Sequence, residues 1–223
     1  MGGYHVAHRA TSYTKYIGIA STLKLPNNCG FEKDSAATVY DGVFPEFIHG
    51  FYKNSYGLDV GVIYRDKKFK LFYHSFSNTC NPTDGDVEVN VSKRDTIELK
   101  TYLSGNKILA EAWKNSVKLK TLSIPLTSAA AQAFAGGAKI NRELVIAANR
   151  HPYIPCDAYF SDTTFSKSTL TTTSYTYEKL RISNSKLLRY ADEGTMDRSR
   201  YGYLPPTEDS GGYVIDTGSC DFR

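Results

Sequence analysis

The stretch from Thr96 to Ile124 constrains the fold more than any other part of the chain. Thr96 to Leu103 (TIELKTYL) runs into Gly105-Asn106, and Ile108 to Lys114 runs into Asn115-Ser116. Both dipeptides suit two-residue hairpin loops, whose backbone needs the positive φ that Gly and Asn tolerate. Two such loops in succession make a three-strand antiparallel meander and fix its register. Leu99, Ala112 and Leu119 then form one row, and Thr101, Ala110 and Thr121 the next row on that face. Side chains alternate along a strand, so the other face carries Glu98-Trp113-Lys118, Lys100-Glu111-Lys120 and Tyr102-Leu109-Leu122. The small apolar face predicts packing on a second sheet; the aromatic and charged face predicts contact with water.

The rest of the chain reads the same way. Leu58 to Tyr64 and Lys68 to Phe76 are strand-like and joined by Arg65-Asp66-Lys67, and Val87, Val89 and Val91 alternate. Ser128 to Ala135 (SAAAQAFA) breaks the pattern. Ala is the strongest helix former and Gly136-Gly137 a stop signal, which predicts a short helix. Ile140 to Ala148, Tyr159 to Lys167 and Thr171 to Ile182 return to strand character. The expected fold is all-β, a two-sheet antiparallel β-sandwich with one short helix near 128–135. Residues 15–188 form the expected domain. Residues 1–14 read as loosely ordered, and 189–223 as an irregular tail anchored by Cys220.

Composition narrows the partners. Lys and Arg number 27 against 23 acidic residues, a small and scattered excess that argues against nucleic acid. No apolar run reaches the roughly 18 residues of a membrane helix. The opening Met-Gly-Gly lacks the charged and apolar regions of a leader and reads as a mature end with Met added. Ala7 stands roughly where N-myristoylation wants Ser or Thr. Four isolated cysteines, Cys29, Cys80, Cys156 and Cys220, lack the close pairs of a zinc clamp and point to disulfides in an oxidising, extracellular setting. Three pairings are open. Cys29–Cys80 with Cys156–Cys220 is preferred, because all four lie in loops or in the tail and Cys220 would pin that tail.

Several motifs carry possible chemistry. Asp216-Thr217-Gly218-Ser219 spells half of an aspartic-protease pair, a chemistry that needs two carboxylates; one copy reads as a turn. Asp84, Gly85, Asp86 and Glu88 resemble a calcium loop without EF-hand spacing, and a plain turn accounts for them. Asn90-Val91-Ser92 is a glycosylation sequon. His5 and His8 lie in a polar stretch, whereas His74 alternates with Phe72 and Phe76 and faces a possible groove. The polar face of the meander is the most suggestive feature. Trp113 and Tyr102 near Glu98, Glu111 and Lys100 suit a sugar, whose C–H face stacks on rings while its hydroxyls bond charged groups. A plain salt ladder, Lys100-Glu111-Lys120, explains the same residues without a ligand. No cofactor and no metal are expected.

The succession of a Gly-rich strand pair, KFKLFYHSF, DGDVEVNVSKRDTIELKTYL, a hairpin containing AEAW, and NRELVIA resembles the concanavalin-like β-sandwich. Within it, the chain resembles secreted glutamic peptidases and bacterial secreted proteins of the YrpD type. The resemblance spans roughly residues 15–182. It implies that Glu143, in Arg142-Glu143-Leu144-Val145-Ile146, occupies the place of a catalytic Glu. The partner Gln should precede the aromatic strand, where this chain reads Arg65-Asp66-Lys67-Lys68; its one Gln, Gln132, lies on the expected helix. The sequence thus leaves three functions: a secreted, non-catalytic polysaccharide-binding domain; a hydrolase using Glu143 with Glu98 or Glu111; and a disulfide-stiffened surface protein.

Overall fold

A computed structural model describes residues 4–13, 15–30, 43–148, 159–191, 207–209 and 212–216. Two antiparallel sheets face one another. The seven-stranded sheet runs, edge to edge, β15 (Ser185–Ala191), β1 (Tyr4–Ser12), β11 (Lys139–Ala148), β4 (Val43–Lys53), β5 (Tyr56–Arg65), β6 (Lys68–Phe76) and β7 (Asp84–Glu88). The eight-stranded sheet runs β10 (Val117–Pro125), β9 (Lys107–Lys114), β8 (Thr96–Ser104), β2 (Tyr16–Lys24), β13 (Thr164–Thr172), β17 (Gly212–Asp216) and β16 (Thr207–Asp209), with β14 (Tyr177–Lys179) also on β13. A short pair, β3 (Asn28–Gly30) and β12 (Tyr159–Ser161), lies apart.

The core lies between the sheets. Phe47, Phe51, Leu58, Val60, Leu71 and Leu144 of one sheet meet Ile19, Leu23, Leu99, Ala110, Ala112 and Phe165 of the other, all buried. Helix α1 (Ser128–Ala135) closes one end, pressing Phe134 into this core. Thr127 caps its N-terminus by accepting from the Ala130 amide, and Gly137 takes φ +88 after its end. The helix spans the residues read from sequence.

The meander keeps its expected register from Glu98↔Trp113 to Tyr102↔Leu109, closed by Gly105 at φ +60. Asn115 and Ser116, at φ +51 and +64, form the second loop. Beyond Lys118 the register departs from expectation. A bulge at Leu119 pairs Lys120 with Ala112, so Leu122 meets Ala110 and Ile124 meets Ile108. The cause is a change of phase. Val117 and Leu119 are apolar on odd positions, Leu122 and Ile124 on even ones, and one extra residue returns Ile124 to the core.

Other expectations are corrected. Tyr4–Ser12 is an interior strand with partners on both sides, because β11 and β15 each offer it a full edge. Within the expected irregular tail, β16 and β17 pair, and β17 joins β13. The strand expected over 159–167 breaks at Asp162-Thr163, and that over 171–182 turns at 173–176. The Cys29–Cys80 bond is not formed. Cys80 is a free thiol, 3 % exposed, packed in the main core as a small apolar group, and its burial pushes the thiol pKa up. Cys156 and Cys220 fall outside the described residues. Among the described residues no helix is long and apolar enough to cross a membrane.

Candidate functional site

The alternation that builds the core also builds the site. On β4, Phe47, His49 and Phe51 face the core, so Glu46, Ile48, Gly50 and Tyr52 face outward. On β5 the outward set is Gly57, Asp59, Gly61 and Ile63; on β11 it is Asn141, Glu143, Val145 and Ala147. Register brings these together. One row reads Thr11–Asn141–Gly50–Asp59–His74, the next Glu143–Ile48–Gly61–Phe72, and the next Val145–Glu46–Ile63–Lys70. Three carboxylates, Glu46, Asp59 and Glu143, therefore share one patch of the outer face of the seven-stranded sheet.

This patch is withdrawn from water. Glu143 is 2 % and Asp59 9 % exposed. Beside them Ile48, Ile63, Phe72, Val145 and Ala147 form a second buried apolar cluster. In such surroundings a carboxylate loses hydration. Burial first, then the charges of Asp59 and Glu143, push the Glu46 carboxyl up to about 8, with Arg65 pulling the other way. Glu46 thus holds its proton at neutral pH.

Neutral donors hold the other two acids. Asn141 Nδ2 donates to Glu143 Oε1 at 3.0 Å, and Thr11 Oγ1 donates to Asn141 Oδ1 at 2.9 Å. The Tyr52 hydroxyl donates to Asp59 Oδ1. Gly50 makes that last contact possible: a Cβ there would stand 2.6 Å from the Tyr52 ring and 3.0 Å from Asp59 Oδ1. Gly61 is required for another reason, since a Cβ would fall 2.0 Å from the Phe47 carbonyl oxygen.

Behind the acids, a buried polar bridge crosses between the sheets. His49 meets Thr101 Oγ1 at 3.1 Å and Ser21 Oγ at 3.0 Å; Ser21 meets Ser168 at 2.6 Å. Arg142 Nη1 donates to Ser168 Oγ at 2.5 Å. Burial and the Arg142 charge lower His49 to about 3, so it stays neutral and serves as one donor and one acceptor. The bridge ties β4 and β11, which carry two of the acids, to β2, β8 and β13.

The residues expected around Trp113 lie elsewhere. Glu98, Lys100, Tyr102, Glu111 and Trp113 share the outer face of the eight-stranded sheet, with both sheets between them and Glu143. Neither Glu98 nor Glu111 can act with Glu143 on one bond. Glu111 is only 6 % exposed and accepts from Trp113 Nε1 at 2.9 Å, Lys118 Nζ at 3.0 Å and the Tyr102 hydroxyl at 3.3 Å. Lys100 and Lys118 lie 4.8 and 5.2 Å from the Trp113 ring centre, and Lys100 pairs with Glu98 at 3.0 Å. His74 is exposed on the acid-bearing face, opposite Asp59 in register, with its ring edge-on to Phe76 at 4.9 Å.

The calcium-like loop is strand β7, where Asp86 pairs with Arg65 and Lys70, Glu88 pairs with Lys68, and Asp84 accepts from the Thr83 hydroxyl. Among the described residues no cluster of His, Cys, Asp or Glu is arranged to hold a metal ion. Asp216 ends β17 opposite Thr164, and the rest of its motif lies outside the described residues. Sequence reading missed Glu46 and Asp59. The signal was available, since each is a lone charge inside an apolar strand run, the rarest setting for a carboxylate.

Neither a protein-family model nor a curated protein matches the sequence. Solved structures match the fold. Scytalido-glutamic peptidase, bound to a peptide-based transition-state analogue, superposes with a TM-score of 0.57 at 12 % identity, covering 94 % of this chain and 96 % of its own. SCP-B, an eqolisin-family peptidase complexed with the tripeptide Ala-Ile-His, gives 0.54 at 11 % identity, over 95 % and 98 %. The chain has the two-sheet β-sandwich fold of the glutamic peptidases.

Proposed function

We propose that this protein is a carboxylate-dependent hydrolase of peptide bonds, working at Glu143 and Asp59 with Glu46 as a proton-holding third acid. The observation that supports this reading is the convergence of three carboxyls on one buried patch, with one driven to hold its proton. Amide hydrolysis needs a carboxylate to take a proton from water and a carboxylic acid to give one to the departing nitrogen. An ionised Glu143 takes a proton as the water oxygen adds to the carbonyl carbon. A protonated carboxyl then gives a proton to the amide nitrogen as the C–N bond breaks. Asp59, on the strand before the aromatic strand, stands in for the Gln that the resemblance to glutamic peptidases implies. The fold shared with two peptidases supports the substrate class. The test is cleavage of a quenched-fluorescent peptide library and of denatured casein from pH 3 to 8, wild type against Glu143→Gln. Cleavage lost in the variant supports the reading; equal cleavage, or none by wild type, sinks it.

A second reading keeps the chain extracellular and non-catalytic, with polysaccharide bound on the eight-stranded outer face. The observation favouring it is one row there, Tyr177–Thr171–Gly18–Tyr102, in which two tyrosines flank small residues. Tyr177 is 75 % exposed, and rings so placed suit sugar stacking. Pull-down on insoluble polysaccharides, with Trp113→Ala and Tyr177→Ala as controls, decides it; equal retention of all three proteins removes this face.

A further inference from the structure

Glu143 is held by a chain of two neutral side chains from different strands. Asn141 Nδ2 donates to Glu143 Oε1, and Thr11 Oγ1, on β1, donates to Asn141 Oδ1. All three residues are at least nine-tenths buried. A side-chain amide can turn over, presenting either its NH2 or its oxygen. Only the NH2 suits an ionised carboxylate; the oxygen suits a protonated one. In the arrangement found, the Thr11 hydroxyl donates to Asn141 Oδ1, which satisfies the amide oxygen and leaves the NH2 to Glu143.

We propose that Asn141, braced by Thr11, is the positioning residue of this site: it holds Glu143 as an ionised acceptor and thereby assigns it the role of base. The proposal rests on the hydrolase reading for its purpose, though not for its measurement. Titratable groups described on this face with Glu143 include Glu46 on β4 and Asp59 on β5; Arg9 on β1 is its backbone partner in register. Two neighbouring acids favour the protonated form of Glu143. A fixed amide donor opposes them. The Tyr52 hydroxyl gives Asp59 the same kind of support from the other side of Gly50. The proton on this patch is then left to Glu46, which burial and the charges of Asp59 and Glu143 favour in its protonated form.

The measurement needs no substrate. Protein labelled with 13C at the glutamate side-chain carboxyl is titrated by NMR, and the Glu143 signal is identified by its loss in Glu143→Gln. Asn141→Leu is expected to raise the Glu143 midpoint by about one pH unit or more, roughly tenfold in proton affinity. Thr11→Val, which leaves the buried Asn141 oxygen without that donor and loosens the amide, raises it by less, and Thr11→Ser, which keeps the hydroxyl, leaves it in place. Should Asn141→Leu not fold, the Thr11 pair still decides. Unchanged midpoints in Asn141→Leu, or identical midpoints in Thr11→Val and Thr11→Ser, overturn the proposal. Absence of peptide cleavage by wild type would remove the hydrolase reading without touching this result. If wild type cleaves, the acidic limb of kcat/KM moves with the midpoint, a shift that general destabilisation would not produce.

Discussion

Glu111, buried, and Glu46, half-buried, lie on outer faces of the same sandwich, yet they titrate in opposite directions. For Glu111, burial is the largest single influence and would raise the carboxyl. Three donors, Lys118, Trp113 and Tyr102, together outweigh it and hold the group below its usual range. For Glu46, burial is again the largest influence, but its neighbours are two more acids and the carboxyl rises to about 8. The two faces teach that burial does not set a carboxylate's chemistry; the donors around it do. A satisfied acid such as Glu111 braces a sheet. An acid among acids stores a proton, and that is a chemical resource.

Four substitutions test this contrast. The largest effect is expected at Asp59. Asp59→Leu should lower peptide cleavage about 10²- to 10⁴-fold, while Asp59→Gln retains more; equal loss in both would show that the side chain's polarity plays no part. Next comes Glu111→Ala, which strips the acceptor from Trp113 and Tyr102 and leaves Lys118 half-exposed. A loss of about 2 kcal/mol in urea unfolding is expected, with cleavage unaffected. Third is Glu46→Gln. A carboxyl raised from 4.5 to about 8 on folding contributes stability that is complete below pH 4.5 and lost as pH climbs toward 8. Wild-type melting temperature should therefore decline across that window, and the variant's should decline less. Parallel curves would mean Glu46 is not the proton holder. The smallest is Lys100→Met, which removes one of two cations over Trp113 and should cost about 0.5 kcal/mol or less.

How much of this was legible in the sequence varies with the physics involved. The β8–β9 register was, because Gly105-Asn106 admits few turn geometries and one register fixes every row. The bulge at Leu119 was written in the phase change between Leu119 and Leu122, but a strand at the sheet edge tolerates a slip that local pattern alone does not force. β1 was not legible: His5, His8 and Arg9 give Tyr4–Ser12 a polar look, and its strand character comes from two partners far along the chain. Glu143 was found through resemblance. Its companions Glu46 and Asp59 escaped because nearness across strands two apart is a property of pairing. The Trp113 group was correctly placed on one face, and there the structure shows a network of donors already spent on Glu111.

The Thr11–Asn141 contact joins residues 130 positions apart. Glu143 is therefore braced only after most of the chain has been made and its early strand has come back to pair with β11. Contacts of such long range form late and slowly, because the loop they close must be ordered first. The β4–β5 hairpin, which is local in sequence, brings Glu46 and Asp59 together without waiting for β1. A sandwich built this way completes its carboxylate patch as one of the last acts of folding.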